Sequence, residues 1–222
     1  GVEAATQDLC TGDRRAPEMG DRISLIMGAP FVPGMQSEVL NRYLESSLSN
    51  KETRTFLQRC AGLTIFGEQR EHVFLVLHGL AGSGKGNFLR AMTGAMGDYG
   101  AKADVMTFLD RGRGGAGHNA DVARLKGKRF VFCSEIDESM RLGARMKDLT
   151  GGDPIVASAK YGKPFEFAPG MTVWVAGNER PTSSYVDSGL WRRIREVPFN
   201  YIVKVADSTM EGLLQNDLKT RA

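Results

Sequence analysis

A buried strand, a glycine-rich loop and a helix follow one another directly in residues 72–96, HVFLVLHGLAGSGKGNFLRAMTGAM. Large apolar residues dominate the run from Val73 to His78, which stops at Gly79 and therefore predicts a buried strand. From Phe88 onward the apolar residues recur at helical spacing. The chain must therefore fold around a strand that passes through a short loop into a helix.

The loop fits the G-x-x-x-x-G-K pattern of a phosphate-binding loop. Gly82 and Gly84 can adopt positive φ angles and turn several backbone N–H groups inward, while the helix N-terminus adds positive charge. Lys85 can reach β- and γ-phosphates, so we predict a nucleotide site. A flexible surface turn with a solvated lysine is the alternative. The expected contact residues are Gly79, Leu80, Ala81, Gly82, Ser83, Gly84, Lys85, Gly86 and Asn87.

One position departs from the pattern, because Gly86 stands where a Ser or Thr usually ligates Mg²⁺. Either other groups hold the metal, or Asn87 and Ser83 substitute for the hydroxyl. The sequence leaves both possibilities open.

The rest of the composition narrows the class of protein. One quarter of the residues are charged and the longest apolar runs have the length of strands, so we expect a soluble chain without a membrane-spanning helix or signal peptide. Cys10, Cys60 and Cys133 lie far apart and show no metal-ligand spacing, which indicates reduced thiols and a cytoplasmic location. Because the chain opens on Gly1, we expect it to be a fragment of a longer protein.

Positive charge is concentrated in residues 111–147, which hold nine Lys and Arg against four Asp and Glu. Such a cluster suits a polyanionic partner, although a solvated charged face has the same composition. The segment RGRGGAG fits a dinucleotide-binding pattern only formally, because no long strand precedes it. We interpret it as a mobile loop near a ligand, with Arg111 and Arg113 available to phosphates.

Two amphipathic helices are predicted ahead of the phosphate loop. Apolar residues mark one face of residues 37–49, and Ser49-x-x-Glu52 is a capping-box pattern that would open the second helix. Together they indicate a small helical subdomain packed on the nucleotide-binding core. After the loop helix, Met106 to Leu109 is predicted to be a short strand.

A second buried strand, Phe130 to Cys133, runs into acidic residues. In phosphate-loop enzymes such a strand delivers a carboxylate that holds Mg²⁺ and polarises the attacking water. Glu135 is the favoured carboxylate, with Asp137 and Glu138 in reserve. An acidic turn after an ordinary strand is the alternative.

Two further segments carry candidate residues. A helix over residues 142–149 precedes two short strands that form a hairpin, whose tip would present Lys160, Tyr161 and Lys163 to a nucleic-acid backbone and its bases. Without a partner, the same hairpin would be an ordinary solvated one.

A third buried strand, Met171 to Ala176, leads to Asn178, whose amide could orient the hydrolytic water or contact the γ-phosphate; the alternative is a turn former. Arg192 and Arg193 precede a last strand, residues 194–199, and could project into the nucleotide of a neighbouring subunit. The alternative is a pair of surface cations without a role at a neighbour's nucleotide.

Taken together, these segments resemble the superfamily 3 helicases of the AAA+ class, most closely the primase-helicases of phages, plasmids and large DNA viruses. The resemblance covers about residues 8–205. It is carried by DLCTGDRR, FLQRCAGLTIFGEQRE, GLAGSGKGNFL, LKGKRFVFCSE, MKDLTGGDPIVASAKYGKPFEF, VWVAGNERP and GLWRRIREVPF in that order.

The resemblance implies an α/β fold, an AAA+ type P-loop NTPase core with a central parallel sheet, preceded by a small helical subdomain. The implied domains are a lead-in and helical subdomain over 1–70, the ATPase core over 71–205 and a tail over 206–222.

The resemblance also implies residue roles. Lys85 matches the phosphate-binding lysine, Glu135 the acid of the second motif and Asn178 the polar sensor. Lys147 matches a basic residue that reaches the γ-phosphate from the neighbouring subunit. The arginine finger is matched best by Arg193, with Arg192 second, and the hairpin tip that grips DNA is matched by Lys160 and Tyr161.

The expected function is an ATP-dependent DNA helicase motor in viral, phage or plasmid replication. Its expected cofactors are ATP and Mg²⁺. Its expected partners are single-stranded DNA and further copies of the same chain in a homo-oligomeric ring, which is a hexamer in this family. A primase or polymerase domain of the same full-length protein is a further expected partner. The alternatives are a phosphate-loop kinase for a small substrate and a nucleotide-binding assembly module without efficient hydrolysis.

Overall fold

The computed structural model describes residues 5–109, 120–136, 142–180, 188–201 and 212. In chain order its elements are β1 (Thr6–Gln7), β2 (Arg14–Arg15), α1 (Glu38–Ser47), α2 (Lys51–Phe66), β3 (Phe74–His78), α3 (Lys85–Met96), β4 (Gly100–Lys102), α4 (Ala120–Ala123), β5 (Phe130–Ile136), α5 (Ala144–Leu149), β6 (Ile155–Ala157), β7 (Phe165–Phe167), β8 (Thr172–Gly177), α6 (Ser188–Trp191) and β9 (Ile194–Pro198).

A five-stranded parallel sheet forms the centre of the molecule, in the order β4-β5-β8-β3-β9. Both faces of this sheet are covered, and all six residues of β8 are buried. Parallel strands covered on both sides need uninterrupted apolar sequence, which is why the buried runs were readable in the chain. The predicted α/β fold class with a central parallel sheet is confirmed.

Each face of the sheet has its own apolar core. On one face, Leu75, Leu77 and Trp174 pack with side chains of α3, α1 and α2. The indole Nε1 of Trp174 donates to Thr64 Oγ1 at 3.2 Å, which joins α2 to β8. The other face packs against α4, α5 and α6. The two N-terminal helices therefore share a core with the strand that precedes the predicted phosphate loop.

Two local predictions were wrong because side chains cap the backbone differently. Residues Val105–Thr107 form a 3-10 helix rather than the start of a strand, since Asp104 accepts a hydrogen bond from Met106 N–H at 2.8 Å. The second helix is capped by Asn50 rather than Ser49, and the Asn50 Oδ1 atom accepts from the backbone N–H groups of the first turn at 2.7 and 3.2 Å.

The lead-in to α1 contains one short hairpin, β1 with β2, and then irregular chain that docks on the end of α3 through backbone bonds from Gly28 and Ala29 to Ala95 O. Among the described residues no helix is long and apolar enough to cross a membrane. Arg111, Arg113, Asp137, Glu138 and nearly all of the predicted 206–222 tail lie outside the described residues.

Candidate functional site

The predicted phosphate loop, residues 79–84, leaves β3 and enters α3 through three glycines whose conformations other residues rarely adopt. Gly79, Gly82 and Gly84 have φ angles of 144°, 79° and 98°. A Cβ atom on Gly79 would lie 2.1 Å from Phe199 O, because the neighbouring strand β9 ends against the loop. Glycine at these positions is thus required by backbone conformation and, at Gly79, by close packing.

The ammonium group of Lys85 lies inside this loop. It donates to Gly79 O, to Leu80 O at 3.0 Å and to Ser83 Oγ at 3.2 Å, and the residue is only 9% exposed. Burial lowers the pKa of Lys85 from its usual value. A phosphate entering the loop would find a desolvated cation already at its centre, with the N-terminal turn of a twelve-residue helix beside it.

Tyr43 of α1 donates a hydrogen bond to the loop and was not predicted as a site residue. Its hydroxyl donates to Gly84 O at 2.7 Å, and the residue is 2% exposed. Burial raises the pKa of Tyr43 well above its usual value, so the hydroxyl remains protonated and able to donate. In the sequence Tyr43 only marked the apolar face of a helix, and nothing there linked it to the loop.

Arg90 occupies the space above the first turn of α3. Its Nη2 atom donates to Asn87 Oδ1 at 2.6 Å. A Cβ atom on Gly86 would lie 3.2 Å from Arg90 Nη1. The glycine that replaces the usual hydroxyl residue therefore lies directly under a guanidinium group, a contact that the sequence analysis did not anticipate.

Two of the predicted polar residues lie at the same edge of the sheet as the loop. Asn178 directly follows β8, the strand adjacent to β3, and its carbonyl accepts from Gly79 N–H at 3.2 Å. Glu135 is the penultimate residue of β5, which adjoins β8, and only its backbone is described. Because these strands are parallel, their carboxyl ends meet beside the phosphate loop.

A second cluster lies at this edge and was also missed. His78 Nε2 is 3.4 Å from Glu196 Oε2, and Arg180 Nε donates to the same carboxylate at 2.6 Å. Burial lowers the pKa of His78, and the nearby Glu196 opposes this shift. The contact depends on the register between β3 and β9, which the sequence could not give.

Lys147, Arg192 and Arg193 lie at the opposite, amino edge of the sheet. Arg193 O accepts from the N–H of Phe74, the first residue of β3, at 3.0 Å. From there to Gly79 the strand extends roughly 16 Å. All three cations line one cleft of about 710 Å³, together with Glu71, Arg145 and Asp153.

The two arginines of this edge differ in their contacts. Arg193 is partly buried, and its Nη1 atom donates to Lys147 O at 2.8 Å and to Thr150 Oγ1 at 3.0 Å. Arg192 is exposed. Arg193 thus holds the C-terminal end of α5 in place within its own chain, while Arg192 is an exposed residue of the same cleft.

The predicted hairpin is confirmed, with β6 and β7 paired antiparallel. Lys160, Tyr161 and Lys163 are all exposed at its tip, Tyr161 to 89%. Tyr161 has a positive φ of 63°, and Lys160 Nζ lies 5.2 Å from its ring centroid. The tip thus presents two cations and an aromatic ring to solvent.

The sequence is similar to two viral proteins. It is 28% identical to a protein named "Putative helicase L207/L206" of Acanthamoeba polyphaga mimivirus over 97% of this chain. It is 29% identical to one named "Putative helicase 022R" of Frog virus 3 over 71% of this chain. The alignments cover only 24% and 17% of those proteins' lengths.

The fold is similar to that of a solved structure, the A form apo structure of the NrS-1 C terminal region. The TM-score is 0.64 at 15% identity, and the match covers 97% of this chain and 49% of the other. The likeness at this identity concerns the fold alone. A family model, described as a family of unknown function, matches residues 77–193, more than half of the chain and the whole stretch from the phosphate loop to Arg193. The chain therefore belongs to the family DUF5906.

Proposed function

We propose that this chain is the ATPase core of a superfamily 3 DNA helicase motor that acts in viral, phage or plasmid DNA replication. One observation carries the proposal most strongly: the phosphate loop and the cations Lys147, Arg192 and Arg193 occupy opposite edges of one parallel sheet. The helicase names of the two viral relatives support the same class.

The nucleotide site is built from this chain's own residues. The loop N–H groups and Lys85 bind the triphosphate, Asn178 orients water at the strand end, and Glu135 provides the carboxylate that polarises it. When bound, ATP supplies the free energy of hydrolysis for movement. Glu135 is the residue proposed to hold Mg²⁺, because Gly86 has no hydroxyl to offer.

The cations at the amino edge cannot serve their own loop, because the sheet separates them from it. A head-to-tail ring brings the amino edge of one subunit to the carboxyl edge of the next, as heterologous interfaces do. An arginine supplied there stabilises charge on the γ-phosphate and can be worth roughly 10³ or more in rate. A lone subunit would accordingly bind ATP and hydrolyse it slowly.

The hairpin supplies the residues that would contact single-stranded DNA in the ring. Lys160 and Lys163 can pair with phosphates while Tyr161 stacks on a base, a combination that suits single-stranded DNA without sequence preference. In a ring, the tips of successive subunits would contact successive stretches of the strand, and hydrolysis at each interface would move them.

The test is a mixing experiment with two variants that are inactive for different reasons. Lys85→Ala cannot hold the triphosphate, and Arg192→Ala or Arg193→Ala cannot serve a neighbour. Each variant alone should show no DNA-stimulated ATP hydrolysis. A 1:1 mixture should recover activity at about a quarter of the interfaces, because random assembly pairs an intact loop with an intact arginine that often.

Arg59→Ala, an exposed arginine on α2, is the control and should retain full activity. Arg193→Lys serves where the alanine variant unfolds. Wild-type turnover by Lys85→Ala would exclude the site, and a mixture with no recovery would exclude hydrolysis at shared interfaces. ATP hydrolysis that is indifferent to single-stranded DNA would instead favour a kinase or an assembly module.

A further inference from the structure

We propose that Arg90 and Asn87 form a phosphate-binding pair on the first turn of α3, and that they bind nucleotide phosphate oxygens where a metal-ligating hydroxyl would otherwise stand. This inference rests on the nucleotide site proposed at Lys85 and adds a specific role for two of its neighbours. It also accounts for a glycine, rather than a serine, at position 86.

The position of Arg90 explains the glycine. Residues 86 and 90 are one helical turn apart, so their side chains share one face of α3. A Cβ atom on Gly86 would come within 3.2 Å of Arg90 Nη1, closer than such atoms normally approach. A serine at this position would crowd the guanidinium and require it to shift by a few tenths of an ångström, whereas glycine leaves the arginine unhindered over the helix start.

The same guanidinium fixes the orientation of Asn87. A guanidinium group only donates hydrogen bonds, so the atom of Asn87 that it contacts at 2.6 Å must be the amide oxygen. The Nδ2 group then lies at the other end of the amide. That end donates, which suits a phosphate oxygen and does not suit a cation.

Asn87 is therefore a poor magnesium ligand in this arrangement. Its one side-chain oxygen already accepts from a cation, and a divalent metal at the same oxygen would be repelled by Arg90. The sequence-based alternative in which Asn87 substitutes for the missing hydroxyl is replaced by a different role. Lys85, Arg90 and the helix N-terminus together supply positive charge that a metal ion commonly provides.

This arrangement predicts nucleotide binding that depends on Arg90 and survives removal of Mg²⁺. Binding of ATP to the whole chain is measured by titration calorimetry, once with Mg²⁺ and once with a chelator. The chelator isolates the protein's own contribution, and binding is read directly rather than through turnover.

Arg90→Ala should weaken ATP binding by about tenfold or more in chelator, the size expected when a hydrogen bond to a charged group is lost. Asn87→Asp should weaken it similarly, because a carboxylate repels the phosphates. Arg90→Lys should restore part of the affinity by keeping the charge. Arg59→Ala, on the exposed side of α2, should bind as the wild type does.

Gly86→Ser provides the reciprocal test. Its side chain crowds Arg90 and adds a hydroxyl that can ligate Mg²⁺, so ATP affinity should fall in chelator and become more dependent on Mg²⁺.

Three results would overturn the inference. The first is equal ATP affinity of Arg90→Ala and Arg59→Ala in chelator, and the second is tighter ATP binding by Asn87→Asp than by the wild type when Mg²⁺ is present. The third is wild-type ATP binding that requires Mg²⁺. If Arg90→Ala does not fold, as judged by its thermal transition, Arg90→Lys and Asn87→Asp decide the matter. A wild type that binds no ATP under either condition would instead refute the nucleotide site of the proposed function.

Discussion

The hydroxyl of Tyr43 connects the N-terminal helices to the predicted phosphate loop, and Tyr43→Phe removes that hydroxyl while keeping the ring. The ring is buried against the same core as the sheet and keeps its packing in the variant. The variant loses the 2.7 Å hydrogen bond to Gly84 O and the contact of the hydroxyl with the buried Ser47 side chain. The substitution therefore measures how much this hydroxyl contributes to the loop.

The magnitude follows from what remains at the acceptor. Gly84 O also accepts from Asn87 N–H at 2.9 Å and from Phe88 N–H at 3.2 Å. Since the carbonyl keeps two donors, it is not left unsatisfied, and the penalty of about 1–3 kcal/mol for an orphaned buried group does not apply. We expect the free energy of unfolding to fall by about 0.5–1.5 kcal/mol, the net value of one hydrogen bond.

Two measurements check this expectation. Thermal unfolding should show a decrease in Tm of about 1–6 °C for a chain of this length. ATP binding should weaken by a few fold, because a loop with one tether fewer spends less time in the binding conformation. Tyr201→Phe, which removes the hydroxyl of a residue that is 56% exposed, is the matched control and should change neither quantity.

Two outcomes would contradict the reasoning. A loss greater than about 3 kcal/mol would mean that Gly84 O is stranded without its tyrosine, against the bonds described above. A variant indistinguishable from Tyr201→Phe in both stability and ATP affinity would mean that the hydroxyl does not support the loop.

Three further predictions concern the cations and a buried histidine. Arg193→Ala should lower Tm by several degrees because the guanidinium of Arg193 holds the end of α5. Arg192 is exposed, so Arg192→Ala should change the free energy of unfolding by no more than about 0.5 kcal/mol. Equal losses of stability in the two variants would contradict this distinction. Lys160→Ala should weaken single-stranded DNA binding and reduce the magnitude of the salt slope by about one in titrations at several salt concentrations, and an unchanged slope would remove this lysine from the interface. Burial lowers the pKa of His78 despite the nearby Glu196, so the unfolded chain takes up the proton first as pH falls through about 6.5. Urea unfolding should therefore show a larger loss of stability towards acid for the wild type than for His78→Gln. Parallel curves of stability against pH would refute this prediction.

The sequence was most informative where one local pattern determines the outcome. The strand Phe74–His78 and the strand Thr172–Gly177 were predicted to within a residue, because a strand buried on both faces leaves a continuous apolar run that stops where the strand stops. The glycine-rich loop around Lys85 was predictable for a similar reason, since it is contiguous in the chain; the role of Lys85 at a phosphate stays a prediction.

Short elements were less predictable because neighbouring side chains compete for the same backbone groups. Ser49 and Asn50 are both good helix caps, and only the structure shows that Asn50 accepts the first-turn N–H groups. Likewise, residues 106–109 are apolar enough for a strand, but Asp104 turns the chain into a 3-10 helix before one can form.

Contacts between distant residues could not be inferred. Tyr43 and Gly84 are 41 positions apart and meet only because α1 packs on the face of the sheet that also holds α3. The meeting of His78 with Glu196 requires the register of β3 against β9. Arg90 was within reach of sequence reasoning, because a cation one helical turn after an unexpected glycine is a visible signal.

The separation of the two halves of the candidate site is a consequence of topology rather than of any single residue. Because β9 lies beside β3 and runs parallel to it, the residue that precedes β9 must lie at the amino edge, while the loop that follows β3 must lie at the carboxyl edge. No rotamer of Arg193 or Arg192 brings a guanidinium across a sheet of that length to Lys85 of the same chain. Cations at the amino edge could act only on a neighbour's nucleotide, and the mixing experiment tests that consequence of the strand order.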